Sequence, residues 1–95
     1  MAFFVYILAS QRNGMLYIGM TDDLGRRLAD HREGELPGFT KKYGVTILVW
    51  FEVFETREEA FARERAMKKW RRDWKLQLIE QSNPDWHDLT ADVPF

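Results

Sequence analysis

"LYIGMTDDLGRRLADH", Leu16 to His31, decides how the chain is read. Its first half alternates like a strand, it breaks at Gly19, and its second half restarts as a helix. Leu24 and Leu28 lie four apart and mark the buried stripe of that helix; Arg27 and His31, also four apart, adjoin the stripe. Thr21 is a candidate N-cap, with Asp22 and Asp23 in the first turn where the helix dipole favours negative charge. The spacing predicts a helix to about Arg32, ended by Gly34.

Working back from Leu16, Asn13-Gly14 is a hairpin signal, because both residues tolerate positive φ. The apolar, aromatic run Phe3–Ala9 is then the partner strand. With Asn13 and Gly14 as the two turn residues, Arg12 faces Met15 and Tyr17 faces Ser10. Side chains alternate with period two, so Tyr6, Tyr17 and Gly19 share one side of the sheet. Gly19 leaves a gap there with no side chain. The two tyrosines alone are equally compatible with core aromatics whose hydroxyls sit at a rim.

Working forward, "EGELPGFTKKYG" reads as a loop with room for one short helical turn. Val45–Phe54, "VTILVWFEVF", is the buried third strand. Thr56 and Glu59 form a capping box for the next helix, which runs to Lys69 or Trp70. A further helix covers about Arg72–Gln81, and Asn83-Pro84 breaks it. The fold class is α+β: a three-stranded antiparallel β-sheet flanked by helices, in the order β-β-α-(α)-β-α-α. Residues 1–83 form the domain, and 84–95 are a tail packing on it or trailing from it.

Ninety-five residues make one domain with one modest core. No run reaches the roughly 18 apolar residues of a membrane helix. The N-terminus lacks the positively charged start of a signal peptide, which points to the cytoplasm. With no cysteine, disulfides, thiolate zinc sites and a cysteine nucleophile are excluded.

The net charge of −1 conceals a basic block. From Arg63 to Lys75, seven basic residues face two acidic ones, a local charge of +5. That is either a solvated helix face or a surface for a polyanion. The four tryptophans, Trp50, Trp70, Trp74 and Trp86, read as core rather than as stacking platforms. Glu64 falls between Ala60 and Met67 at the edge of an apolar stripe. A carboxylate there needs a cation: Arg27, Lys68 or a divalent metal.

Phe4-Val5-Tyr6, Tyr17-Ile18-Gly19 eleven residues after the first tyrosine, Arg27, His31 and a glutamate in a later helix together resemble the GIY-YIG nuclease domain. The small single-domain bacterial members are the most similar, on "RRLADH", "LVWFE", "ARERAMKKW" and "LIEQSNPDWHDL". The resemblance implies a DNA endonuclease using one Mg²⁺ or Mn²⁺ ion, with roles in repair or nucleic-acid turnover. It assigns Tyr6, Tyr17, Arg27, His31 and Glu64 to catalysis, Glu64 as the metal ligand. It also implies that the Gly19 gap is room for the scissile phosphate to approach the backbone. Asn83 resembles an asparagine near the site of some members.

The first motif departs from the family as Phe-Val-Tyr in place of Gly-Ile-Tyr, and Met20 stands where some members carry a lysine. Lys41, Lys42, Arg63, Lys68, Lys69, Arg71, Arg72 and Asn83 are the expected nucleic-acid contacts, to DNA or RNA. No base-reading module is present, so cutting is expected to follow DNA structure, or a protein partner supplies the targeting. The alternative is a nucleic-acid-binding module on the same fold that does not cut by itself.

Overall fold

The computed structural model describes residues 2–33 and 43–93. Three antiparallel strands, β1 (Phe3–Ala9), β2 (Leu16–Thr21) and β3 (Ile47–Phe54), form one sheet in the order β2-β1-β3. Among the described residues, three α-helices follow the expected order: α1 (Leu24–Glu33), α2 (Arg57–Lys68) and α3 (Arg72–Ser82), with a 3-10 turn at Leu89–Asp92. Among the described residues, no helix is long and apolar enough to cross a membrane. Gly34, expected to end α1, and residues 34–42 of the stretch expected to be a loop with an optional helical turn lie outside the described residues.

The hairpin differs from the expected register by two residues. Leu8 pairs with Tyr17 and Tyr6 with Gly19. Ser10 N donates to Met15 O at 3.0 Å and Gly14 N to Gln11 O at 2.9 Å, so the loop has four residues rather than two. Only Asn13 takes positive φ, at 58°, and the Ser10 hydroxyl accepts from Met15 N at 3.0 Å. An even error leaves every side chain on its expected face, so Tyr6 and Tyr17 still project together.

Helix α1 starts two residues later than expected. Thr21 makes a local turn instead, accepting from Asp23 N at 3.1 Å. The cap is Asp23, whose carboxylate accepts from Arg26 N at 3.2 Å. At α2 the capping box forms: Thr56 Oγ1 accepts from Glu59 N at 3.2 Å and donates to Glu59 Oε1 at 3.0 Å.

Strand β3 begins at Ile47, two residues inside the expected run, and contains a bulge. Ile7 pairs with Trp50 but Leu8 with Leu48, so Val49 is the extra residue. Its carbonyl, displaced from the ladder, accepts from Asn83 Nδ2 at 3.1 Å.

The sheet carries a core on each side. Val5, Ile7, Ile18, Val49 and Trp50 pack beneath α2 and α3 against Ala60, Met67 and Ile79. Phe4, Tyr6, Leu8 and Leu48 pack beneath α1 against Leu24 and Leu28. The tail contributes to both, through Trp86 to the first and Val93 to the second. Arg32 Nη2 ties it to α1 by donating to Asp88 Oδ2 at 2.6 Å and Thr90 Oγ1 at 2.7 Å.

Candidate active site

Tyr6 stands on the central strand and leans toward the edge strand β2. It can do so because its partner is Gly19. A Cβ at position 19 would fall 2.5 Å from Tyr6 Cζ and 3.0 Å from Tyr17 Cε1. The gap is therefore filled by the Tyr6 phenol, which corrects the expectation that it admits a scissile phosphate.

The phenol meets His31 on α1. Tyr6 Oη and His31 Nε2 are 3.2 Å apart, in a hydrogen bond the phenol donates when Nδ1 carries the ring proton. His31 does not adjoin the Leu24/Leu28 stripe, as its spacing suggested, but continues it: it is 3% exposed and Tyr6 1%. Tyr17 completes an aromatic triangle, its ring 5.2 Å from His31 and 6.3 Å from Tyr6, and is only half-buried.

Both buried groups are held neutral. Burial pushes the Tyr6 phenol well above its usual range; Tyr17 adds to this, Arg27 opposes it and Glu64 adds again. Burial pulls the His31 imidazole below its ordinary value, the Arg27 charge adds to this and Asp30 opposes it. The same couplings show that Arg27 from α1 and Glu64 from α2 both act on the Tyr6 hydroxyl. Tyr6, Tyr17 and His31 therefore meet directly, and Arg27 and Glu64 lie within electrostatic reach of them.

Glu64 lies in the buried stripe of α2, between Ala60 and Met67, both fully buried. Its side chain is 15% exposed, and its only described ion pair is with Lys68 Nζ at 3.6 Å. Beside Arg27 a cleft of about 310 Å³ opens, lined by Thr21, Asp22, Asp23, Arg26 and Asp30 as well. Asp22 and Asp23 were visible in the sequence only as helix-start residues; their role as a cleft wall needed the fold.

The expected nucleic-acid contacts divide. Lys41 and Lys42 lie outside the described residues. Asn83 is buried at 4% and its amide is committed to the backbone: Nδ2 donates to Val49 O and to His87 O, and Oδ1 accepts from His87 N. It is a structural clamp on the bulge, not a nucleic-acid ligand. Arg72 is likewise structural, donating to Asn13 O at 2.8 Å and Gly14 O at 2.6 Å.

Arg63 pairs with Glu52 at 3.3 Å and lies over Trp70. Acceptors within reach thus turn part of the basic block inward. Lys69, at the α2 C-cap, and Arg71, paired with Asp73 at 3.4 Å, remain exposed, as does Lys68. The tryptophans divide too: Trp50 and Trp86 are core, Trp70 is half-buried and Trp74 is exposed.

A family model described as the GIY-YIG catalytic domain matches residues 2–77. A UPF0213 protein of Clostridium perfringens is 40% identical over 80 residues, covering 84% of this chain and 85% of that one. A UPF0213 protein of Haloquadratum walsbyi is 38% identical over 78 residues, covering 82% and 86%. The solution structure of the UPF0213 protein BH0048 from Bacillus halodurans matches with a TM-score of 0.59 at 32% identity, covering 95% of both chains.

Proposed function

The chain belongs to the GIY-YIG catalytic-domain family, and from that premise we propose that it is a divalent-metal-dependent endonuclease hydrolysing DNA phosphodiester bonds. The observation that supports this reading is the meeting of two phenols and an imidazole, with a guanidinium and a carboxylate within electrostatic reach of the Tyr6 hydroxyl. A binding-only protein has no use for Glu64 there, where its charge repels phosphate.

The donor set fits one hard cation. Glu64 offers a single, partly buried carboxylate, and among the described residues no group of three or more His, Cys, Asp or Glu forms a closed cage. Mg²⁺ and Mn²⁺ suit such a site, since magnesium keeps several waters and needs one or two carboxylates. When bound, the ion supplies charge stabilisation to the phosphate and to the leaving oxygen.

The chain's own groups do the rest. Arg27 presents a planar, permanently charged fork to phosphate oxygens. Tyr17 is the base, acting as the phenolate: being half-buried, it can meet a water, whose proton passes to Oη as the water oxygen attacks phosphorus, the P–O3′ bond breaks and the leaving oxygen takes a proton from solvent. Tyr6 is a poor base, because burial and its bond to His31 favour the protonated phenol. The Tyr6–His31 pair instead fixes the position of Tyr17 and of whatever hydrogen-bonds to it. Cutting is directed by DNA structure, since the described residues hold no base-reading module.

Cleavage of single-stranded, duplex, flap and branched DNAs with Mg²⁺ or Mn²⁺ tests the reading. Glu64→Ala should lower the rate at least ~10³-fold, the equivalent of several kcal/mol of transition-state stabilisation. It should keep or tighten DNA binding, because a negative charge near phosphate is gone. Cutting that survives in Glu64→Ala, in nuclease-free preparations, overturns the metal-ligand assignment. If wild type binds every DNA and cuts none, the protein is a binding module on this fold, a reading favoured by the closed Tyr6–His31 bond.

A further inference from the structure

The turn between α2 and α3 carries a group of side chains that the proposed chemistry leaves unused. Trp70 lies in that turn and Trp74 in the first turn of α3; their rings meet edge to face, 6.2 Å apart at 74°. The Arg63 guanidinium lies 5.1 Å from the Trp70 ring, and that of Arg71 lies 5.1 Å from the Trp74 ring. The four form a ladder of cation, ring, ring and cation.

Its inner end is fixed by the Arg63–Glu52 pair. Its outer end is open: Trp74 is 48% exposed and the Arg71 side chain 71% exposed. A groove of about 220 Å³ runs beside the rings, lined also by Gln77, Leu78 and Gln81.

Three chemistries meet at or beside the groove: flat π faces and two primary amides one helical turn apart line it, and the Arg71 guanidinium, paired with exposed Asp73 at 3.4 Å, lies on the Trp74 ring. An unpaired nucleotide presents the complements of all three, as a base face, a phosphate and the donors and acceptors of a base edge. The surrounding charge agrees. From Lys68 to Lys75 five basic residues face one acidic residue, and the Arg72 charge, bonded to neutral carbonyls, stays uncompensated. An apolar protein segment would match the rings and leave the charge and the amides unanswered.

We propose that the Trp70–Trp74 ladder is a stacking platform for unpaired nucleobases of the substrate strand. Its link to cutting rests on the nuclease reading: Glu64 lies four residues, roughly 6 Å of helix rise, before the end of α2, and Trp70 follows two residues past that end, so a short unpaired stretch spans both. In an intact duplex the base faces are already stacked on one another, and the platform has nothing to receive.

The test measures binding alone, with the full chain in EDTA, on fluorescently labelled strands of about twelve nucleotides. The probes are a single strand, its duplex and the same strand made wholly abasic. Trp74→Ala should weaken the single-strand complex about tenfold, the typical loss of one aromatic–base stack. It should leave the duplex and abasic complexes near their wild-type affinities, and Trp74→Phe should restore most of the loss. Because Trp74 is exposed, the variant's thermal melt should match wild type. Equal losses on normal and abasic strands, or no loss on either, overturn the platform. A platform that passes while Glu64→Ala still cuts leaves the stacking site standing and removes the metal-ligand reading.

Discussion

The two faces of the sheet are built differently. Under α2 and α3, Val5, Ile7, Val49, Ala60, Met67 and Ile79 are all fully buried and none can ionise. Under α1, equally buried leucines share space with Tyr6 and His31, two groups that carry exchangeable protons. Apolar burial is non-directional and adds stability with area removed from water. Buried polar groups add little net stability but enforce one geometry, because an unmade hydrogen bond is costly. One face therefore supplies most of the apolar burial and, at the edge of its α2 stripe, Glu64; the other uses that rigidity to hold Tyr6 and His31 in register.

Three substitutions separate the faces, in order of effect. Tyr17→Phe keeps the ring packed beside His31 and removes only the hydroxyl, so single-turnover cleavage should fall ~10²–10⁴-fold, the usual contribution of a positioned base. Its urea midpoint should stay at the wild-type value. An unchanged rate would move the base to another group.

Ile79→Ala acts on the opposite face, on α3 and away from Glu64. It should cost about 2–5 kcal/mol in urea unfolding, much of the stability of a domain this size, with cleavage per folded molecule unchanged. A specific loss of activity without loss of stability would show that the faces are not separable.

The smallest effect comes from His31. Its native pKa lies below its ordinary value near 6.5. Below that pH the unfolded chain takes up a proton that the native chain resists, so stability should decline as pH falls from 7 through 6.5 and be complete above it. His31→Gln should remove this part of the slope, read as urea midpoints of the two proteins between pH 7 and 5.5. Parallel slopes would mean that His31 titrates alike in both states.

Much of this division was legible in the sequence. Period-two alternation placed Tyr6, Tyr17 and Gly19 on one side although the hairpin register was off by two, since an even slip preserves faces. The α1 stripe and the Thr56 capping box were equally plain, being set by neighbours within one turn. The misread features depend on partners distant in the chain. The Val49 bulge shows only against β1, and Asn83 acquires its task only from that bulge. Arg72 reads as a free cation until the hairpin carbonyls arrive beside it. Trp74 looked like core because local pattern cannot reveal which tryptophan the packing leaves outside.

The close fit of the Tyr6 ring over Gly19 also binds the chain's history. A methyl group at position 19 has no room while the phenol lies across it, and the phenol has no comparable seat over any residue with a side chain. Each partner is tolerable only in the presence of the other's present form. A lineage can thus exchange this pair only by first giving up the tyrosine, through an intermediate with an emptied site. Drift at position 19 is closed while the function is retained, and any descendant with a bulkier residue there should also have abandoned the aromatic ring at position 6.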